Sequence, residues 1–285
     1  MPADKLPPII PGVARRIHIP VLRPGSNRLD PIQAHHVRDV LRLTDGATVE
    51  AFDDAGATAP AILRLPNAQE AAVWVDQISP APTARLRWTV ASAVPKGDRA
   101  DWMVEKLSEL GADAFIPLAA ARSVVLPEGK NKRERWMRLA TEAAKQSRRA
   151  GVMRIEELTP LEVAVAQVGG GRVQGSGFGG QEGRIAGERR AGDSGSVGWF
   201  FATEIAGIPI AEAIAAARGA RALTLFIGPE GGWTVEEIAA FERAGLTAVK
   251  LTSTVLRVET AAIAAAAVVA SMLGGTICGS GGHAA

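Results

Sequence analysis

Hydrophobic and polar positions change rhythm once along this chain, and the change divides it in two. Over residues 15–79 the pattern is short and β-like. Arg16-Ile17-His18-Ile19 alternates, and Ala47-Thr48-Val49-Glu50-Ala51-Phe52 has the make-up of a strand. Asp53-Asp54-Ala55-Gly56 supplies turn chemistry, and residues 59–65 and 71–78 predict two further strands. Only residues 31–41 have helical spacing there, with Ile32, Val37, Val40 and Leu41 as the apolar positions. Pro80, Pro82 and the alanine between them make a linker. From Arg85 onward strands alternate with helices, which predicts an α/β domain on a largely parallel sheet. Strands are expected at 86–94, 114–118, 222–227 and 248–251, and helices at 99–110, 132–149, 235–244 and 259–273. Gly111, Gly245 and the pair Gly274-Gly275 stand where such helices would end.

One segment breaks this rhythm. Residues 168–198 are dominated by glycine, serine and scattered charges, too poor in apolar groups to offset the entropy of ordering. The segment reads as a disordered insertion. It has no phosphate-loop pattern ending in Gly-Lys-Ser/Thr and no Gly-x-Gly-x-x-Gly between strand and helix.

Bulk composition sets the remaining bounds. At 285 residues there is room for two domains, and 47% hydrophobic with 22% charged residues suits a soluble globular protein. A formal charge of +2 neither demands nor excludes nucleic acid, so charge placement matters more than its sum. Cys278 stands alone, which rules out a disulfide within the chain and argues against a cysteine zinc site. The histidines are His18, the adjacent His35 and His36, and His283; neighbours on a helix point about 100° apart, so no chelating pair is expected. Residues 1–11 are proline-rich without the apolar core of a signal peptide, and the apolar run 261–273 is too short to span a bilayer. A cytoplasmic protein without metal or membrane is the expectation.

Three stretches carry candidate chemistry. The first is Leu223-Thr224-Leu225-Phe226-Ile227-Gly228-Pro229-Glu230-Gly231-Gly232-Trp233-Thr234, a buried strand running into a glycine-rich loop and then a helix. Thr234 and Glu237 have capping-box spacing. Ligands of open α/β sheets bind at such strand ends, although an ordinary tight turn fits the same residues. The second runs Leu251-Thr252-Ser253-Thr254-Val255-Leu256-Arg257-Val258-Glu259-Thr260, again strand to polar turn to helix. Arg257 and Glu259 there suit either catalysis or a structural ion pair at a helix start. The third begins Lys96-Gly97-Asp98-Arg99-Ala100-Asp101 and continues to Arg122-Ser123 and the basic stretch 130–149. That stretch sets Lys130, Lys132, Arg133, Arg135, Arg138, Lys145, Arg148 and Arg149 against Glu134 and Glu142, an excess able to follow a phosphate backbone.

In order and spacing these stretches, with Arg15-Arg16-Ile17-His18, the His35–Arg42 helix, Lys106 to Gly111 and Glu142 to Arg149, resemble the ribosomal RNA small subunit methyltransferase E family. Members methylate N3 of a uridine in small-subunit RNA with S-adenosylmethionine. The resemblance implies a PUA-like RNA-binding barrel over residues 1–82 and a knotted, Rossmann-like SPOUT methyltransferase domain over 83–285, assembled as a homodimer. By the same resemblance the cofactor is held by Thr203, Glu204, Ile227, Gly228, Pro229, Glu230, Gly231, Gly232, Leu251, Thr252, Val255 and Leu256. Catalysis falls to Arg257, Glu259 and Glu230, and RNA to Arg15, Arg16, His35, Arg38, Arg42, Arg122, Lys132, Arg135, Gln146 and Arg149. The RNA partner is free small-subunit RNA or the assembling subunit. Thr252 stands where members usually have glycine, and Thr254 where arginine is frequent. The N3 position lies on the Watson–Crick edge, so the base has to be unpaired or flipped to react. On the residues alone, a SPOUT enzyme for another RNA such as tRNA and a non-catalytic RNA-binding protein remain open.

Overall fold

The computed structural model describes residues 15–81, 86–127, 129–169, 195–203 and 205–272. The chain forms two units, Met1–Ala84 with Ala140–Met153 and Arg85–Leu139 with Arg154–Ala285. Glu204, Pro82, Gly274, Gly275, Cys278, His283 and residues 170–194 of the glycine-rich segment lie outside the described residues.

The first unit is a five-stranded mixed sheet. Its strands are β1 (Arg15–His18), β2 (Gly25–Arg28), β3 (Thr48–Phe52), β4 (Thr58–Arg64) and β5 (Ala72–Val75), in the order β1-β3-β4-β5-β2. Only β1 and β3 are parallel; the other three pairings are antiparallel. Alternate residues of β3, β4 and β5 (Val49, Ala51, Ala61, Leu63, Val73, Val75) fill the core with Ile17 and Val37. The alternation expected of β1 is not observed, because Arg16 and His18 are buried beside Ile17. Both have partners. Arg16 Nε donates to Glu50 Oε1 at 3.0 Å, its Nη1 to the carbonyls of Ala144 and Arg149, and its guanidinium lies 4.1 Å from the centre of the Phe52 ring. His18 Nε2 is 2.7 Å from Asp54 Oδ1. The turn after β3 forms as its sequence predicts, with Asp53 Oδ1 accepting from the amides of Gly56 and Ala57.

Two local differences have physical causes. β2 has the polar sequence Gly-Ser-Asn-Arg, and the Asn27 amide shapes its approach by donating to the carbonyls of Arg23 and Gly25. The helical segment splits into α1 (Pro31–His35), capped by Asp30, and a wider π-helical turn at His36–Val40. The wide turn moves residues off the expected stripe. Val37 is buried, while Ile32 and Val40 are exposed.

The second unit is built on parallel strands. It contains β6 (Arg87–Ser92), α2 (Asp98–Leu110), β7 (Ala114–Ala119), α3 (Lys130–Ser147, which enters the first unit at Ala140), β8 (Arg154–Ile155), β9 (Thr159–Pro160) and α4 (Leu161–Gly169). There follow β10 (Ser196–Phe201), β11 (Ile208–Pro209), α5 (Ile210–Ala216), β12 (Ala222–Ile227), α6 (Val235–Arg243), β13 (Thr247–Lys250) and α7 (Val258–Met272). Strand order is β11-β13-β10-β12-β6-β7-β8, with β9 also on β7, and every pairing is parallel. Such strands are covered on both faces and read as continuous apolar runs, as Ala222–Ile227 does.

The glycine-rich segment is structured at both ends. Val168 belongs to α4, and residues 196–198 belong to β10. A Cβ on Gly198 would lie 2.7 Å from Leu246 Cγ and 2.9 Å from Val168 Cγ1, so glycine there is a packing requirement. Residues on either side of it build the aromatic core, in which Phe200 stacks on Phe241 with ring centres 4.5 Å apart.

Candidate active site

Because β6, β10, β12 and β13 are adjacent and parallel, the segments leaving their C-terminal ends share one edge of the sheet. Thr203 follows β10, Gly228–Gly232 follows β12, Leu251–Leu256 follows β13, and Lys96–Arg99 follows β6. The edge therefore gathers the described cofactor candidates, while Arg99, from the third of the candidate stretches and with no role expected of it, joins them from α2.

The Gly228–Gly232 loop is held from three directions. The Gly232 amide donates to the Pro229 carbonyl at 2.9 Å, closing a turn with Gly232 at φ +71°. The Trp233 indole sits so close beneath that a Cβ on Gly228 would meet its Cε2 at 2.9 Å, and its Nε1–H donates to the Phe201 carbonyl. Arg122 donates to the carbonyls of Gly231 at 2.7 Å and Trp233 at 3.4 Å. Thr234 and Glu237 complete the expected capping box, and the buried Glu237 also accepts from the Ala121 amide at 2.8 Å. One carboxylate thus ties the start of α6 to the loop after β7.

The second loop folds on itself. Thr252 Oγ1 donates to the Thr254 carbonyl at 2.8 Å and accepts from the Thr254 amide at 3.2 Å. Val255 is 80% exposed and Arg257 is exposed, with no hydrogen bond or ion pair to the guanidinium among the described residues. Glu259, two residues on, is buried and bonded to Arg99: Nη1 lies 3.2 Å from Glu259 Oε1 and 3.6 Å from Glu230 Oε1. The structural ion pair allowed by the sequence exists, but its cation is Arg99. The signal was present in the opening of α2 directly after a strand at this edge. Oε2 of Glu259 is buried without a hydrogen-bond partner among the described residues.

The RNA candidates fall into distinct surroundings. Arg15, Arg42 and Gln146 are exposed. His35 pairs with Asp39 at 2.6 Å, Arg38 donates to the carbonyls of Asn67, Ala68 and Glu70, and Arg16 is buried as described. Arg149 offers its carbonyl to Arg16. Lys132 and Arg135 both bind Asp101, at 2.9 and 2.7 Å, and the Trp136 indole donates to the same carboxylate at 2.8 Å. Among the described residues no three His, Cys, Asp or Glu side chains group as metal ligands, and no helix is long and apolar enough to cross a membrane.

Residues 82–175 and 195–270 match the model of the RNA methyltransferase domain family. The ribosomal RNA small subunit methyltransferase E of Bacillus subtilis (strain 168) is 30% identical over 237 residues, 80% of this chain and 83% of that protein. Its namesake from Mycobacterium bovis is 31% identical over 240 residues, 83% of each chain. The fold is that of the Neisseria gonorrhoeae ribosomal RNA small subunit methyltransferase E solved with S-adenosyl methionine. The likeness has a TM-score of 0.70 at 23% identity and covers 90% of this chain and 97% of that one.

Proposed function

This chain belongs to the RNA methyltransferase family, among the ribosomal RNA small subunit methyltransferase E proteins, and from that premise we propose that it methylates N3 of a uridine in small-subunit ribosomal RNA with S-adenosylmethionine. The observation that carries the reading is the convergence of Gly228–Gly232, Leu251–Leu256 and Thr203 at one sheet edge, with Glu230 and Glu259 joined through Arg99. The residues fit the cofactor in one respect: Glu259 Oε2 is a buried acceptor, without a partner among the described residues, that an N–H of the cofactor has the chemistry to satisfy. Thr203, Ile227, Gly228–Gly232, Leu251, Thr252, Val255 and Leu256 would hold it, and when bound it supplies an electrophilic methyl group.

The remaining chemistry belongs to the chain. Arg257 is exposed, with no partner to its guanidinium among the described residues, and is placed to serve the uracil oxygens, whose negative charge grows as N3 passes its proton to a carboxylate of the site, Glu230 or Glu259. Arg15, Arg42 and Gln146 contact phosphates, which position the RNA while the pocket selects the base. The first unit supports a PUA-like barrel over residues 1–82, and the second a SPOUT domain over 83–285. In support of a trefoil knot, α7 leaves β13 on one side of β10 yet packs on α2, β6 and β12 beyond it. A cytoplasmic homodimer acting on ribosomal RNA or the assembling subunit completes the proposal.

Nucleoside mass spectrometry tests it. Purified protein, S-adenosylmethionine and small-subunit RNA should yield 3-methyluridine, and cells lacking the gene should lose that nucleoside. Methylation confined to tRNA, or none at all, overturns the reading.

A further inference from the structure

We propose that Arg99 is a positioning residue: it fixes Glu259 through Oε1 so that Oε2 stands as the acceptor for an N–H donor on the bound ligand. The inference rests on the methyltransferase reading above. Arg99 Nη1 is 3.2 Å from Glu259 Oε1 and 3.6 Å from Glu230 Oε1, so one guanidinium nitrogen links the glycine loop to the start of α7. The Glu259 side chain is 6% exposed, and its Oε2 has no partner among the described residues. A buried carboxylate oxygen without a donor is costly, so its retention calls for an explanation, and a ligand that brings an N–H supplies one.

The placement of Arg99 points the same way. It occupies the first turn of α2, where the helix dipole disfavours a cation, and two carboxylates from other elements offset that. Arg257, the nearer cation in sequence, takes no part in holding Glu259. Oε1 is therefore committed and Oε2 is aimed by the pairing. The donor is an N–H of the methyl donor's amine or the uracil N3–H; both have the chemistry to satisfy Oε2.

The test uses the full chain and four variants, Arg99→Ala, Arg99→Lys, Glu259→Gln and the Arg99→Ala/Glu259→Gln double variant. Calorimetry reads affinity for S-adenosylmethionine and S-adenosylhomocysteine, single-turnover methylation reads the rate at saturating cofactor, and melting reads the fold. Arg99→Ala and Glu259→Gln should each lose on the order of 10- to 100-fold in one functional readout, with Arg99→Lys intermediate. Loss of affinity assigns the donor to the cofactor; loss of rate at unchanged affinity assigns it to the uridine. Arg99→Ala should add nothing to Glu259→Gln, and additive losses would overturn action through Glu259. Unchanged affinity and rate in Arg99→Ala, or a fall in melting temperature alone, would also overturn it. A wild type that binds cofactor without methylating ribosomal RNA refutes only the broader reading, and its affinity arm still decides Arg99. A wild type that does neither removes both.

Discussion

Lys132 and Arg135 lie in the basic stretch that suggested a phosphate contact, yet both hold Asp101, which also accepts from the Trp136 indole. Burial, the largest influence on the Asp101 carboxyl, pushes its pKa up. The hydrogen bonds from Lys132 and Trp136 and the charges of Lys132 and Arg135 outweigh that and leave it below the ordinary 3.8. A depressed carboxyl stabilises the fold above its unfolded pKa, and that contribution is lost as pH falls through the folded value. Chemical denaturation between about pH 5 and about pH 2 should therefore show a steeper loss for the wild type than for Asp101→Asn. Asp101→Ala should cost about 1–3 kcal/mol at neutral pH, because the buried indole N–H loses its acceptor. Sequence alone does not show that these cations already serve a carboxylate, since the partner lies about 30 positions away. Arg257 is the opposite case. Exposed and without a side-chain partner among the described residues, it can be removed at little cost to folding, so Arg257→Ala should melt within a few degrees of wild type and bind cofactor normally. Its single-turnover rate should fall on the order of 10²–10³-fold. Arg257→Lys should not restore the full rate, because a point-like ammonium does not reproduce a planar fork. Near-normal turnover in Arg257→Ala would remove it from the site.

At the scale of elements, what was legible is what one local rule decides. β12 and α2 follow from an apolar run and from helical spacing ended by Gly111, which takes φ +97°. The start of α6 follows from Thr234 and Glu237, but the second use of Glu237, on the Ala121 amide, was not visible because it joins residues far apart in sequence. That difference is measurable. Thr234→Ala removes one cap and should cost about 1 kcal/mol. Glu237→Ala removes the reciprocal cap and leaves a second amide without an acceptor, so about 2–3 kcal/mol is expected by urea unfolding. Equal losses in the two variants would mean that the tie to Ala121 contributes nothing. β2, α4 and β10 are among the elements not anticipated, for reasons that differ. β2 is polar and held by Asn27, while α4 and β10 border the glycine-rich segment, whose composition blurred their ends.

For the whole molecule, the family match skips residues 176–194, between the ordered ends at α4 and β10. Replacing 176–194 with a short Gly-Ser linker should leave melting and cofactor affinity unchanged, because loop closure depends only weakly on length. Extending the replacement to Val168 or Gly198 should destabilise, since these pack against each other. The sequence of α7 is apolar nearly all round, and a helix of that kind is normally buried. Val258, Ala262, Ala265, Ala266 and Val269 are buried, against α2, β6 and β12. Ile263, Ala264, Ala267 and Val268 remain only half-buried, Met272 is 61% exposed, and Trp102 of the neighbouring α2 is 49% exposed. A second copy of the chain would cover that face through a two-fold axis, as the family resemblance implies. Light scattering at micromolar concentration should give about twice the 29.7 kDa chain mass. Val268→Glu places a charge on the half-buried face rather than in the core, so it should yield a monomer that still folds and has lost methylation. A wild-type monomer that methylates RNA at full rate would refute the dimer.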